Sequence, residues 1–301
     1  MYDVIIIGGS YAGLSAAMAL GRSLRDTLVI DGDNPCNKQT PHSHNFLTRD
    51  GETPQALHGK ALEQVLNYKT VEFMSGYATG VSRSSSGYTI QTEHGESYNA
   101  RKLIFATGVK DILLPIQGFE ACWGISILHC PYCHGYEVRG KRTGIFASGN
   151  GGFGFSKIIS NWTSDIVLFT NGPAELTAEQ TEILNRKKVD VIEMPVASIA
   201  HEIGYVQHVI LENGDKVPVS ALYYSPECVQ QSDLPKELGC ELNEHGLIQV
   251  DLFQKTSVSG VYAAGDNSST GRSVSGAVAS GSLAGMMLNK ELIEEEVEEI
   301  L

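Results

Sequence analysis

No segment of the sequence approaches 18 uninterrupted apolar residues, so no membrane-spanning helix is expected. Positive charge is scarce. The 22 Lys and Arg stand against 35 Asp and Glu, for a net charge of −13 and a pI near 5.1. A chain this acidic is poorly matched to a nucleic-acid backbone or an anionic membrane, and no segment resembles a nucleic-acid-binding module. Met1-Tyr2-Asp3 lacks the basic stretch of a secretory signal and runs straight into an apolar segment, so a cytoplasmic protein is expected. Cysteine is limited to six residues. In a reducing compartment these read as catalytic, metal-binding or buried thiols rather than structural disulfides. A composition of 42% hydrophobic and 19% charged residues is that of a globular chain with a sizeable core, and 301 residues suit two domains. What the sequence has in quantity is glycine, 32 residues, which points to tight turns and close approach of backbone to ligand.

The glycines fall into patterns. Val4-Ile5-Ile6-Ile7 is a continuous apolar run, as expected of a parallel strand buried on both faces. Gly8-Gly9-Ser10-Tyr11-Ala12-Gly13 turns sharply into an Ala/Leu/Met-rich helix from Leu14 to Leu24, and Thr27 to Asp31 forms a second strand. This is the order of a dinucleotide-binding βαβ unit. Gly8 and Gly13 let the backbone reach a pyrophosphate at the helix N-terminus, and Asp31, 18 residues beyond Gly13, accepts from a ribose hydroxyl. Ser10 stands where the middle glycine of the pattern belongs. A second signature follows the strand Gly144 to Ala147, with Gly149, Gly151 and Gly154 in full GxGxxG spacing, a helix to about Trp162, and a strand from Ile166 to Thr170. Asn171-Gly172-Pro173 then supplies neither an acid for a ribose hydroxyl nor an arginine for a 2′-phosphate. Short alternating strands are expected around residues 71–92, and at Val206 to Leu211 and Val217 to Tyr224. A small-residue helix is expected from Ser273 to about Leu288, followed by a glutamate-rich, solvated end.

His129-Cys130-Pro131-Tyr132-Cys133-His134 is the most informative hexapeptide. Two thiols at CxxC spacing on a helix N-terminus suit a redox-active disulfide. Weaker readings are c-type haem attachment, which needs an export signal, zinc ligation, for which the spacing is cramped, and buried inert thiols. No metal is expected. Cys36, Cys122, Cys228 and Cys240 have no partner at motif spacing and read as small buried hydrophobes.

Taken together, the N-terminal fingerprint, the turn Ala106-Thr107-Gly108, the CxxC pair inside a second dinucleotide unit, and the closing Gly260-Val261-Tyr262-Ala263-Ala264-Gly265-Asp266 resemble low-molecular-weight thioredoxin reductases along essentially the whole chain. The CxxCH variant also resembles thioredoxin-reductase-like dithiol oxidases. The resemblance implies an α/β fold of two Rossmann-like, three-layer β-β-α domains, the second inserted into the first. It places the first part of an FAD domain at 1–112, an NAD(P)H-binding-like domain at 113–237 and the rest of the FAD domain at 238–301. It implies FAD as cofactor, contacted by Asp266, by Arg272, Ser273 and Val274 along the isoalloxazine, and by Asn45. It implies a homodimer, and as partner a thiol or disulfide substrate, either a protein such as thioredoxin or a small dithiol. Carried over, Cys133 faces the flavin and Cys130 exchanges with substrate. The sequence departs from the family where His134 replaces an aspartate, where Asn171-Gly172-Pro173 replaces a basic 2′-phosphate segment, and at Ser225-Pro226. His134 is the candidate acid–base group, with His129 behind it, and the 2′-phosphate site for NADPH is expected to be missing. A flavin-bound redox sensor without turnover is the reading from another class.

Overall fold

Val4, Ile5 and Ile6 have no exposed surface, and a run this apolar is stable only as an inner strand covered on both faces. In the computed structural model, which describes residues 1–84, 86–298 and 300, the strand Tyr2–Ile7 is that inner strand. It pairs in parallel with Thr27–Asp31 on one side and with Ser97–Phe105 on the other. Val71–Ser75 extends the sheet beyond Thr27–Asp31. The long strand Ser97–Phe105 changes partners along its length. Its first half pairs antiparallel with Gly87–Thr92, and its end pairs in parallel with Val261–Ala263, a strand from the far end of the chain.

The residues in between build a second parallel sheet, in the order Asp190–Ile192, Ile166–Phe169, Thr143–Phe146, Ala221–Tyr224 and Ile127–Leu128. The helix Gly149–Ile159 links two of these strands, and an antiparallel layer of Val196–Glu202, Tyr205–Leu211 and Lys216–Pro218 covers the sheet. The fold is therefore α/β, with one Rossmann-like unit interrupting another. Val109–Ile112 and Glu227–Gln230 pair antiparallel where the chain leaves and re-enters the first unit.

Two elements differ from the sequence reading. The single strand expected at Val217 to Tyr224 is two strands, because the chain leaves the antiparallel layer at Pro218 and enters the parallel sheet at Ala221. The C-terminal helix runs from Val274 to Glu298, ten residues past its expected end at Leu288; Glu294 and Glu298 are solvated as expected, but Glu291, Glu295 and Glu296 turn to the body of the protein. Glu291 bonds Lys102 and Lys255 at 2.7 Å each and accepts from Tyr262 at 2.8 Å, Glu295 also pairs with Lys102, and Glu296 holds Arg25 and Arg101. The tail is an ion-pair clamp on the first sheet.

Candidate active site: a disulfide between two cavities

The first glycine turn is explained by crowding. Gly8 has φ +103°, and a Cβ there would stand 2.3 Å from the Ala106 carbonyl oxygen; a Cβ on Gly13 would stand 1.8 Å from the Gly8 oxygen. Neither position admits a side chain while the helix Tyr11–Arg22 packs this close to its strand. Ser10 is the N-cap, but its side chain makes no capping bond, so the helix N-terminus faces the cavity beside it. Asp31 ends the second strand and accepts from the Gly9 N–H at 2.9 Å. Gly8, Gly13 and Asp31 shape the turn rather than line that cavity.

The cavity gathers most of the other expected residues. Ser10, Asn45 and the turn Ala106-Thr107-Gly108 come from the first unit, Asp266, Arg272, Ser273 and Val274 from its C-terminal return, and Cys133 and His134 from the inserted unit. Ser273 also receives the Gly276 N–H at 3.0 Å and so caps the long C-terminal helix. Asn45 sits at φ +62°, held there by its N–H bond to Asp50 at 2.7 Å.

Some of the lining residues were not singled out from sequence. Asp111, on the crossing strand Val109–Ile112, makes a bidentate pair with Arg272 at 2.6 and 3.2 Å, and Arg272 also reaches Asp266 at 3.3 Å. Burial raises the Asp266 carboxyl above the usual range, and Arg272 opposes that shift. Nothing in the local sequence marks Asp111, because its partner lies 161 residues away. Trp123 lines the same space. Cys36 opens onto the cavity while protein atoms hem in its thiol. Burial first, and Asp266 second, push that thiol up to about 11, so it stays protonated.

Cys130 and Cys133 are joined in a disulfide, with their Cα atoms 5.3 Å apart. The helix after Cys130 is a single turn, Pro131–His134, and the Cys133 N–H points at the Cys130 sulfur at 3.2 Å. The two cysteines open differently. Cys133 lines both the first cavity and an adjoining cleft, whereas Cys130 lines the cleft alone, together with Tyr132, Ser225, Pro226 and Cys228. Both flanking histidines border the first cavity. Burial, then Arg272, push His129 down to about 4; burial, then His44, lower His134 as well. Both rings are therefore neutral at pH 7 and able to accept a proton. Among the described residues, no group of three or more His, Cys, Asp or Glu side chains could hold a metal ion.

The second glycine turn lies apart from both cavities. Gly149 starts its helix at φ +54°, but its N–H is already bonded to the Ala174 carbonyl at 2.8 Å, and a Cβ on Gly149 would stand 3.9 Å from a Glu175 carboxylate oxygen. Gly151 and Gly154 face open space. The two arginines nearest in sequence are engaged elsewhere, Arg142 with Asp165 and Asp190, and Arg186 with Glu182.

A glycine turn beside a CxxC disulfide defines a flavin-dependent disulfide oxidoreductase, and comparison with known proteins agrees. Residues 2–281 match the pyridine nucleotide-disulphide oxidoreductase family, and the chain belongs to it. It is similar to the thioredoxin reductase tcpT of Claviceps purpurea, at 31% identity over 97% of this chain and 94% of that one. Among solved structures it is similar to a putative thioredoxin reductase TrxB from Bacillus anthracis, with a TM-score of 0.94 at 28% identity over 98% of this chain and 100% of that one. An oxidoreductase from Agrobacterium tumefaciens gives a TM-score of 0.91 at 33% identity over 97% of this chain and 98% of the other. The protein is thus a thioredoxin-reductase-like, FAD-dependent oxidoreductase. Among its described residues, no helix is long and apolar enough to cross a membrane.

The site fits FAD. The uncapped helix N-terminus at Ser10, on the cavity wall, suits the pyrophosphate. The cavity between Ala106-Thr107-Gly108 and Cys133 leaves room for a ring system beside the disulfide.

Proposed function

We propose that this enzyme exchanges electron pairs between FAD and an external thiol or disulfide through Cys130 and Cys133, with His134 moving the protons. The observation that carries this reading is the placing of the pair: Cys133 borders both the flavin cavity and an open cleft, and Cys130 borders the cleft alone. The reading places the first part of the FAD domain at 1–112, the CxxC domain at 113–237 and the remainder of the FAD domain at 238–301, in a homodimer.

FAD, when bound, supplies a two-electron acceptor or donor next to Cys133. In the oxidising direction, a substrate thiolate attacks the Cys130 sulfur, the Cys130–Cys133 bond breaks, and Cys133 leaves as a thiolate. A second substrate thiolate then attacks the substrate sulfur of the mixed disulfide. The substrate leaves as a disulfide and Cys130 as a thiol, so two thiols are oxidised and one protein disulfide is reduced. His134, neutral and lining the cavity with Cys133, takes up the substrate proton and later returns it. In the reducing direction the same steps run backwards.

A specific observation favours the oxidising direction. Ala174 and Glu175 cover the Gly149 turn, and Asn171-Gly172-Pro173 carries no cation, so pyridine nucleotide is a poor electron source. Electrons from a small dithiol would then return to oxygen: dithiol plus O₂ gives disulfide plus H₂O₂. The test is anaerobic titration of the holoenzyme with dithiothreitol, followed by admission of air. Bleaching of the flavin at about one equivalent and recovery in air, with one H₂O₂ formed per dithiol, are expected. A flavin that dithiothreitol leaves oxidised overturns the reading.

A further inference from the structure

His134 cannot keep the protons it collects. Reduction of bound flavin by a dithiol leaves one proton over at neutral pH, and reoxidation by O₂ takes one up again, so a base beside this half-buried disulfide must exchange a proton with solvent in each half of the cycle. The neighbourhood of His134 contains a path. His44 lines the same cavity, and its ring meets the His134 ring edge to face, with centroids 6.4 Å apart and planes at 87°. His44 is carried on a loop of the first unit, whereas His134 belongs to the CxxC segment of the inserted unit. The loop is held in place by backbone bonds, Ser43 N–H to the Glu52 carbonyl at 2.8 Å and Gly51 N–H to the Ser43 carbonyl at 2.9 Å.

Each nitrogen of His44 faces a carboxylate. Nδ1 lies 3.5 Å from Asp50, and Nε2 lies 3.7 Å from Glu137, three residues past His134. At these distances a bridging water or a small side-chain shift completes the bond. A charged imidazole can donate to both carboxylates, a neutral one to only one of them, so the ring has a partner in either state. Exposure increases along the route: the His44 side chain is 22% exposed, Glu137 41% and Asp50 68%. The remaining titratable neighbour, His42, has its ring centroid 6.3 Å from that of His44 and is held through Nδ1 to the Gly51 carbonyl at 3.0 Å. Burial of His44 in a loop would by itself require neither two flanking carboxylates nor the contact with His134.

We propose that His44 is a positioning residue that relays protons between His134 and solvent by way of Glu137 and Asp50. The proposal rests on the reading of His134 as the proton-moving group. No covalent bond changes in the relay: a proton taken from the substrate thiol by His134 crosses to His44 through intervening water, because no hydrogen bond joins the two rings, then passes to a carboxylate and to bulk water.

The test is the rate of anaerobic flavin reduction by dithiothreitol across pH 5–9 in the FAD-loaded enzyme and in His44→Ala, His44→Gln, His134→Gln and the double variant His44→Ala/His134→Gln. Loss of His44 is expected to slow reduction about ten- to hundred-fold at saturating dithiol, leave KM unchanged and shift the acid limb of the profile. Added imidazole should restore His44→Ala, and the double variant should be no slower than His134→Gln alone, because both residues serve one path. A His44→Ala enzyme with the wild-type rate and profile, or one with full flavin content that imidazole leaves unrestored, overturns the relay. If His134→Gln is slow while His44→Ala is not, the relay fails and the role of His134 survives. If His134→Gln keeps the wild-type rate, both fail together.

Discussion

Two cysteines three residues apart in sequence share a cleft, but only Cys133 also borders the flavin cavity, and that difference predicts how each variant behaves. Cys130→Ser leaves Cys133 alone beside the flavin cavity, so a thiolate–flavin absorbance band at long wavelength is expected; Cys133→Ser should lack it. A band seen only in Cys133→Ser reverses the two roles. His134 carries a pH prediction. Burial is the largest cause of its lowered pKa, and His44 adds to the shift. A base with a lowered pKa stays neutral, and therefore active, to a pH below its ordinary value of about 6.5, and loses activity only as pH falls further. The rate of dithiol oxidation should thus be flat through neutrality, with its acid limb below about pH 6.5, and His134→Gln should remove that limb. At this scale the sequence showed the cysteine pair and its histidine because their chemistry is local. It did not show Asp111, whose role depends on an arginine 161 residues away.

The small residues of the C-terminal helix act as a packing surface. A Cβ on Gly281 would stand 2.0 Å from the Ala12 oxygen, and one on Gly285 2.7 Å from the Ala16 oxygen, so Val274–Glu298 lies almost backbone to backbone on Tyr11–Arg22. The helix was legible as small and helical, but its partner and the meaning of its glutamates were not. Charge runs usually face water, and these glutamates turn inward because Lys102, Arg101, Lys255 and Arg25 give them something to hold. Burial alone would raise the Glu291 carboxyl, yet the bonds from Lys102, Lys255 and Tyr262 overcome it and hold it at about 2. A depressed carboxyl contributes stability above its unfolded value, near 4.5, and loses that contribution as pH falls from there towards 2. Glu291→Gln should cost about 3 kcal/mol at neutral pH, the low end for a buried pair because Glu295 still partners Lys102. It should also flatten the loss of stability between about pH 4.5 and pH 2, as read by urea unfolding at a series of pH values. Equal unfolding midpoints for the two proteins at pH 7 would reduce the clamp to a surface feature.

Across the whole molecule, two nucleotide-binding patterns with the same strand–glycine–helix order meet different fates. The first opens onto a cavity; the second is capped by its own chain, with the Ala174 carbonyl on the Gly149 N–H and Glu175 alongside. An anionic cofactor entering there meets a carboxylate and no arginine, because Arg142 and Arg186 are paired with acids elsewhere. A charge-assisted bond contributes about 1.5–3 kcal/mol, so the lack of two weakens NADPH by about a hundred-fold or more. Stopped-flow mixing with NADPH at micromolar concentration should leave the flavin oxidised over many dithiol turnovers. Reduction by NADPH that saturates faster than turnover would refute this.

The sequence by itself determined what is written in neighbouring residues: the strand–glycine–helix–strand order, the acid at Asp31, the CxxCH segment and the missing cations after Thr170. Each depends on spacing along one stretch of chain, where backbone sterics and side-chain chemistry act locally. The tertiary structure decided what depends on distant segments meeting. It placed Cys133 between two cavities and Cys130 in one of them, set Asp111 against Arg272, turned part of a glutamate tail into a clamp and laid Glu175 over a glycine turn that the sequence alone left open. It did so because burial and charge pairing act between residues close in space, whatever their separation along the chain.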